Sequence, residues 1–471
     1  MTAHAAATGA TLRTVVVGAG LAGLSAAHAL ARRASERGRP LALTVLDALD
    51  EPGGQLGTAR ADGYLVEWAA NAFRSGVGPT ADLVARLGLT GEQVTADPAA
   101  GRRYVLHGGR LHALPADPIG LLRFRPLSPA GRWRVLAEPF VATRVRHEES
   151  VYDYAARHLG PEAAGVLLGT LVRGVYGGDV RALSVDAAFP VMREMEREHR
   201  SLVVAAVAGA RRRRLEGKRT WSFRGGMATL IERLADDLGD ALRLGTTVRG
   251  VAPAPDGAGF RLRTSAGEVE ADAVVLAVPP HVAAGWLGAF DTALAAELAA
   301  IEAADLGVVA LAFDRDAFVR PPDGYGFLTA PGERVPVLGV LIESNVFPGR
   351  APAGHVLLRA ILGGVADPEV ARRSDEELVE RATALLDRAY GLRAAPLRHW
   401  VRLVPRGIPQ YHLGHRERVA RIEARLARHP GLQVAGSAYR GISVGALVAD
   451  AEVVAERLAD LRPSRAAAVV T

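Results

Sequence analysis

The sequence predicts an α/β fold in which a parallel sheet wound with helices is joined to a mixed-sheet domain and a helical insertion. Three observations carry this. A β-branched run, Thr14 to Val17, meets the turn Gly18-Ala19-Gly20-Leu21-Ala22-Gly23 and then an alanine- and leucine-rich helix, Leu24 to Arg33. The stretch from Gly101 to about Gly217 is arginine-rich and mostly helical in pattern. From Trp221 the alternating strand texture returns, and the chain closes on strand, glycine loop and helix.

The chain of 471 residues is 49 % hydrophobic and 23 % charged, enough apolar material for a large core and long enough for two or three domains. It contains no cysteine, which excludes disulfides, iron–sulfur clusters, thiolate zinc sites and a cysteine nucleophile. No apolar run approaches the roughly 18–20 residues of a membrane span. Met1 to Ala10 lacks the basic and long apolar regions of an export signal, so a cytoplasmic location is expected. The net charge is +6, with Lys218 the only lysine among 57 basic residues. No helix-turn-helix, zinc finger or aromatic-plus-basic surface accompanies that charge, so nucleic acid is not an expected partner.

After the first helix, Leu41 to Leu46 reads as a second strand ending at Asp47. Later strands are expected at Leu242 to Val251, Gly259 to Thr264, Glu268 to Val278, Gly307 to Phe313, Val337 to Glu343, His355 to Leu362 and Leu432 to Ala435. Helices are expected at Asp375 to Tyr390 and Ala446 to Leu458, and Pro463 to Thr471 reads as a frayed tail. The opening βαβ unit is of Rossmann type. Gly18 permits the tight turn, Gly20 lets a pyrophosphate approach the backbone, and Gly23 lets helix and strand pack closely. Asp47, 24 residues beyond Gly23, stands where a carboxylate binds ribose hydroxyls.

A second glycine pair follows in Asp47-Ala-Leu-Asp-Glu-Pro-Gly53-Gly54-Gln55, then Glu67-Trp-Ala69-Ala70-Asn71-Ala72-Phe73. These stretches resemble the flavoprotein superfamily of the amine oxidases (GR2-like), which implies a bound FAD. Without cysteine a thioether link to the flavin is impossible, and non-covalent binding is expected.

The resemblance sharpens through Arg103-Tyr104 to Pro115, Leu171-Val-Arg-Gly-Val-Tyr-Gly-Gly-Asp179, Glu198-His199-Arg-Ser201 and Trp221 to Met227. Tyr325-Gly-Phe-Leu328, Leu362-Gly-Gly364 and Ile408-Pro-Gln-Tyr-His-Leu-Gly-His415 continue it. In this order the chain, from about Leu12 to Leu458, resembles the protoporphyrinogen and coproporphyrinogen oxidase family.

That resemblance implies oxidation of a porphyrinogen to the porphyrin in haem synthesis. Six electrons would leave in three flavin cycles, with oxygen or another acceptor receiving them. It assigns Gly18, Ala19, Gly20, Leu21, Ala22, Gly23, Asp47, Gly54, Gln55, Ala69, Ala70, Asn71, Ala72, Val248, Ser437, Ile442, Ser443 and Val444 to the FAD. It assigns Arg103 to a substrate propionate, and Leu171, Gly174, Tyr325, Gly326, Leu328 and Ile361 to the walls of the ring pocket. A guanidinium suits a carboxylate through two parallel hydrogen bonds. No general base and no metal are expected, because the flavin carries the chemistry; His199, His412 and His415 lack a zinc-binding context.

The expected organisation is an FAD-binding domain in three parts, residues 1–100, 218–282 and 398–471, a helical insertion at 101–217 and a substrate domain at 283–397. The apolar run Leu202 to Ala210, followed by Arg211 to Arg214, makes an anionic membrane surface a candidate partner. A homodimer is a further expectation from the family. Two departures from its pattern, Ala69-Ala70 after Glu67 and Gly445-Ala446-Leu447 after Val444, lie near the expected flavin. They keep two alternatives open: another oxidase or desaturase of the superfamily, acting on an amine or a carotenoid, and a non-catalytic porphyrin-binding flavoprotein.

Overall fold

A computed structural model describes residues 10–74, 78–115, 117–141, 143–216, 220–255 and 257–463, without the side chains of residues 118 and 210–216. Lys218, the expected tail from residue 464 onward and the side chains of Arg211 to Arg214 therefore lie outside the described residues.

The first strand, β1 (Leu12–Val17), runs into the glycine turn and helix α1 (Leu21–Glu36), and β2 (Leu41–Leu46) returns parallel to β1. α1 contains no Val, Ile or Thr, which favours the helix, while the β-branched run of β1 suits a strand covered on both faces. Five parallel strands form this sheet, in the order Leu242–Arg243, β2, β1, Ala273–Leu276, Leu432–Val434. It thus draws on three distant parts of the chain. The turn is crowded. A Cβ on Gly23 would lie 1.8 Å from the Gly18 carbonyl oxygen, and one on Gly18 would lie 2.4 Å from that of Ala277.

The second sheet has seven strands, ordered Arg398–Pro409, Ala303–Asp314, His355–Gly363, Val337–Leu341, Gly326–Thr329, Arg103–His107, Arg110–Ala113. Its pairings are antiparallel except for Gly326–Thr329 beside Arg103–His107. The expected limits of the insertion and of the last FAD-binding part move accordingly. Residues 103–107 and 110–113 are strands that pair with Gly326–Thr329 and with each other, burying Val105 and Leu106, and 398–409 is an edge strand of this sheet.

Two expected strands are each divided. Leu242 to Val251 breaks at Gly245 (φ 62°), whose N–H donates to Leu49. Leu242–Arg243 pairs with β2, whereas Val248–Pro253 joins a small antiparallel sheet. Glu268 to Val278 breaks at Asp272, whose carboxylate accepts from the Arg13 backbone at 2.8 Å and Nη2 at 3.1 Å. That clamp turns the chain from the small sheet onto the edge of β1.

The helical insertion opens its helices Pro118–Leu122, Pro129–Leu136 and Pro190–His199 on proline, where a missing N–H costs nothing. Inside it, fully buried Glu138 accepts from His158 (2.8 Å) and from the N–H of Leu202 (2.8 Å), capping the helix Leu202–Glu216.

The strand Tyr64–Glu67 packs on the seven-stranded sheet and ends at Glu67. Its carboxylate and Arg350 are both inaccessible to solvent and lie 3.3 Å apart. Burial pushes the carboxyl up and the guanidinium opposes this. Arg350 also donates to Ser222 at 2.6 Å, and its carbonyl accepts from Leu65. Removing one member of such a pair strands a buried charge. Arg350→Met is expected to lower unfolding free energy by about 3–5 kcal/mol in a denaturant titration. The loss should deepen as pH rises, because an unpaired Glu67 folds only when protonated. Adding Glu67→Gln should restore most of the stability, and failure to do so would contradict the pairing.

Candidate functional site

A cleft of about 860 Å³ is lined by residues of both the five- and the seven-stranded sheets. At one end it is lined by Gly18, Gly20, Leu21 and Ala22 of the turn, with Asp47, Gly54 and Gln55 beside them. Gly20 is the N-cap of α1 and offers no capping side chain, so the first N–H groups of the helix are left for a ligand, where the helix dipole favours an anion. Asp47 does two things. It lines the cleft, and it accepts from the N–H of Ala19 (2.6 Å) and Leu49 (2.9 Å), fixing the turn. Val248 joins the wall through Thr246, whose N–H donates to the Asp47 carbonyl.

The cleft is lined further by Ala69 and Ala70 and by Ser437, Ile442 and Val444. Ala69-Ala70 is held from behind: Arg359 donates to the carbonyls of Glu67 (3.0 Å) and Ala69, and its Nε donates to Glu343 at 2.8 Å. Ser443 caps the helix Val444–Ala459 by accepting from Ala446. Gly445, Ala446 and Leu447 thus form a first helical turn, with Leu447 in the cleft wall.

At the far end Gly174 and Ile361 complete the lining. Gly174 is tight against Leu328, since a Cβ there would lie 2.5 Å from Leu328 Cδ2. Gly326 and Leu328 share one strand, and Gly326 pairs with Arg103 on the next. The exposed Arg103 guanidinium lies 4.9 Å from the centroid of the Tyr325 ring, whose hydroxyl burial makes harder to ionise.

Not every expected residue reaches the cleft. Ala19 and Gly23 stand behind the turn as spacers, and Ser443 acts through its cap. Asn71 is buried and donates to Glu343 at 2.9 Å, away from the lining, and Ala72 packs against the cluster of Ala100, Val346 and Phe347. Leu171, Tyr325, Gly326, Leu328 and Arg103 form a shell adjoining the far end rather than its wall.

Sequence reasoning missed the supports. Arg359 and Arg402 both line the cleft, yet nothing local marks them in so arginine-rich a chain. Trp68 lines it too, with Arg402 beside its ring. The 408–415 stretch works as a clamp. Gln410 donates to the Tyr176 carbonyl at 2.8 Å, while the Tyr411 hydroxyl donates to Ser437 and accepts from Gly441. His415 stacks on Tyr411 with ring centroids 4.1 Å apart and hydrogen-bonds the backbone at Tyr439 and Ala438. Burial drives its pKa down to about 4.

The donor set suits a flavin dinucleotide: a glycine cradle that side chains would fill, free helix N–H groups, a strand-end acid and a flat apolar continuation. Comparisons with known proteins agree. A profile of the flavin-containing amine oxidoreductases matches residues 21–458. Bovine (Bos taurus) protoporphyrinogen oxidase is 32 % identical over 96 % of this chain and 99 % of its own. Coproporphyrinogen III oxidase of Bacillus subtilis is 26 % identical over 91 % of this chain and 94 % of its own. A solved structure from Exiguobacterium sp. 255-15, provisionally designated a protoporphyrinogen oxidase, superposes with a TM-score of 0.82 at 24 % identity, covering 95 % of this chain and 98 % of that one.

His415 gives a pH test. It stays neutral in the folded chain down to about pH 4 and protonates near its usual 6.5 when unfolded. Stability should therefore be lost as pH falls from 6.5 to 4, by up to about 3 kcal/mol from this residue. His415→Gln should flatten that part of the melting-temperature profile. An unchanged slope would contradict the assignment.

Proposed function

The chain belongs to the flavin-containing amine oxidoreductases, in the branch of the porphyrinogen oxidases, and from that premise we propose that it oxidises protoporphyrinogen IX or coproporphyrinogen III to the porphyrin with non-covalently bound FAD. The observation that carries this reading is the continuity of the cleft, which runs from the glycine turn to Gly174 and Ile361 without a partition. The names of the bovine and Bacillus relatives support the substrate class. The flavin, when bound, supplies the redox chemistry, taking hydrogen from the macrocycle in three two-electron rounds and passing electrons to oxygen or another acceptor.

The chain's own residues bind and orient. Gly174 and Ile361 give an apolar wall for a flat ring, with Leu328 packed behind Gly174, and Arg103 in the adjoining shell suits a propionate. Ala69-Ala70 keeps the backbone of the cofactor wall in place because Arg359 grips it, so this departure from the family pattern is compatible with turnover. The first turn of Val444–Ala459 keeps its backbone N–H groups whatever its side chains.

Purified protein loaded with FAD should accelerate porphyrin fluorescence from at least one of the two porphyrinogens over an enzyme-free control in air. No acceleration with either, from folded protein that retains FAD, would favour the non-catalytic reading. Arg103→Ala should raise KM by about five- to tenfold with FAD content unchanged; an unchanged KM would remove Arg103 from substrate binding.

A membrane-surface role is supported by a separate observation. Phe140 is 91 % exposed, Trp133 65 %, Ile119 62 % and Val207 64 %, on helices that pack together. Exposed Arg123 and Arg125 accompany them. Among the described residues no helix is long and apolar enough to cross a membrane, so such contact would be superficial. The protein should co-sediment with vesicles containing anionic lipid, and Trp133→Ser with Phe140→Ser should abolish this. Equal sedimentation of the double variant would contradict the assignment.

A further inference from the structure

Arg402 sits in the strand Arg398–Pro409, opposite Val308, and is half-buried in the cleft wall. Among the described residues no carboxylate pairs with it. Its Nη2 donates to the Gly54 carbonyl at 2.8 Å, and its guanidinium carbon lies 5.9 Å from the Trp68 ring centroid. Burial, unopposed by any anion, lowers its pKa. Arg350 and Arg359, both buried, are different: Arg350 has Glu67 and Arg359 has Glu343. A guanidinium carries five N–H donors, and taking it out of water without a counter-ion is costly. A cation left in that state facing a cleft is set up for an anion that arrives with a ligand.

Its position says which part of the ligand. Gly54 backs onto the turn: the N–H of Gly53 donates to Ala19 at 2.8 Å, and a Cβ on Gly54 would lie 3.4 Å from Gly20 Cα. Gly20 begins α1, whose free N–H groups carry only partial positive charge. Gln55, the residue after the glycine pair, is neutral, so this segment brings no cation of its own. We infer that Arg402 supplies the cation that pairs with the diphosphate of the bound flavin dinucleotide, completing from the seven-stranded sheet an anion site that α1 begins.

This rests on the reading that the cleft holds FAD. It has a structural consequence. The cofactor becomes an ionic bridge between the two sheets, so FAD should tie the edge strand Arg398–Pro409 to the parallel-sheet domain.

The test is FAD binding to apoprotein, followed by flavin fluorescence at low and high salt, for the native chain, Arg402→Met and Arg402→Lys. Native protein that takes up no FAD would overturn the cofactor reading itself. With binding established, Arg402→Met should weaken FAD by about tenfold at low salt. The deficit should shrink as salt rises, and Arg402→Lys should recover much of it. The melting temperature of Arg402→Met apoprotein should not fall, since an unpaired buried charge is removed, and the midpoint potential of its bound flavin should match the native value. Unchanged FAD affinity, or a deficit equal in the Met and Lys variants and insensitive to salt, would overturn the proposal. So would a lowered potential with full affinity, which would move Arg402 to the reduced ring.

Discussion

Buried arginine–carboxylate pairing around residues 67–72 is the interaction on which the rest of this structure depends. Glu67 with Arg350 and Glu343 with Arg359 are sealed from water, and Asn71 joins the second pair. Charges so placed are tolerated only in close, hydrogen-bonded geometry. Each pair links the strand Tyr64–Glu67 and the loop after it to residues of the seven-stranded sheet or its connections. The loop bearing Ala69 and Ala70 is therefore fixed to the seven-stranded sheet, and both residues line the cleft. The backbone that Arg359 grips at Ala69 is also part of the cleft wall. Stability and site geometry are thus set by the same contacts.

Crowding supplies the second constraint. At the turn after β1, helix and strands approach so closely that Gly23 has no room for a methyl group. That closeness exposes the N–H groups of α1 to the cleft. At the opposite end the contact between Gly174 and Leu328 brings a helix of the insertion onto the seven-stranded sheet, with Gly174 in the cleft wall. The clamp of Gln410, Tyr411 and His415 joins that helix to the loop bearing Ser437 and Gly441. The 408–415 motif, specific in sequence, is thus a brace between the walls proposed for cofactor and substrate.

The βαβ opening was legible because its signals are local: a β-branched run, a glycine turn and an alanine-rich helix. Asp375–Tyr390 was equally plain, with the capping box of Ser374 and Glu377 at its start. What was not legible is tertiary. The breaks at Gly245 and Asp272 depend on which sheet each half joins, and an apolar alternation reads the same for either. Residues 103–113 sit beside helical sequence and became strands only by pairing with Gly326–Thr329. Among the site residues, those in glycine motifs could be named from the chain. Arg359 and Arg402 could not, since a strand arginine acquires a role only from what faces it. Asn71 shows the converse, a motif residue that turns inward to Glu343.

The central claim is that one continuous cleft brings a porphyrinogen against a bound flavin. The most direct measurement omits the final acceptor altogether: anaerobic mixing of the FAD-loaded protein with protoporphyrinogen IX, and separately with coproporphyrinogen III, while the visible absorbance of oxidised flavin is followed. The account predicts rapid bleaching with at least one porphyrinogen, recovery on admitting air, and no bleaching with a simple amine. Flavin that stays oxidised in the presence of both porphyrinogens, in protein that binds them, would contradict it.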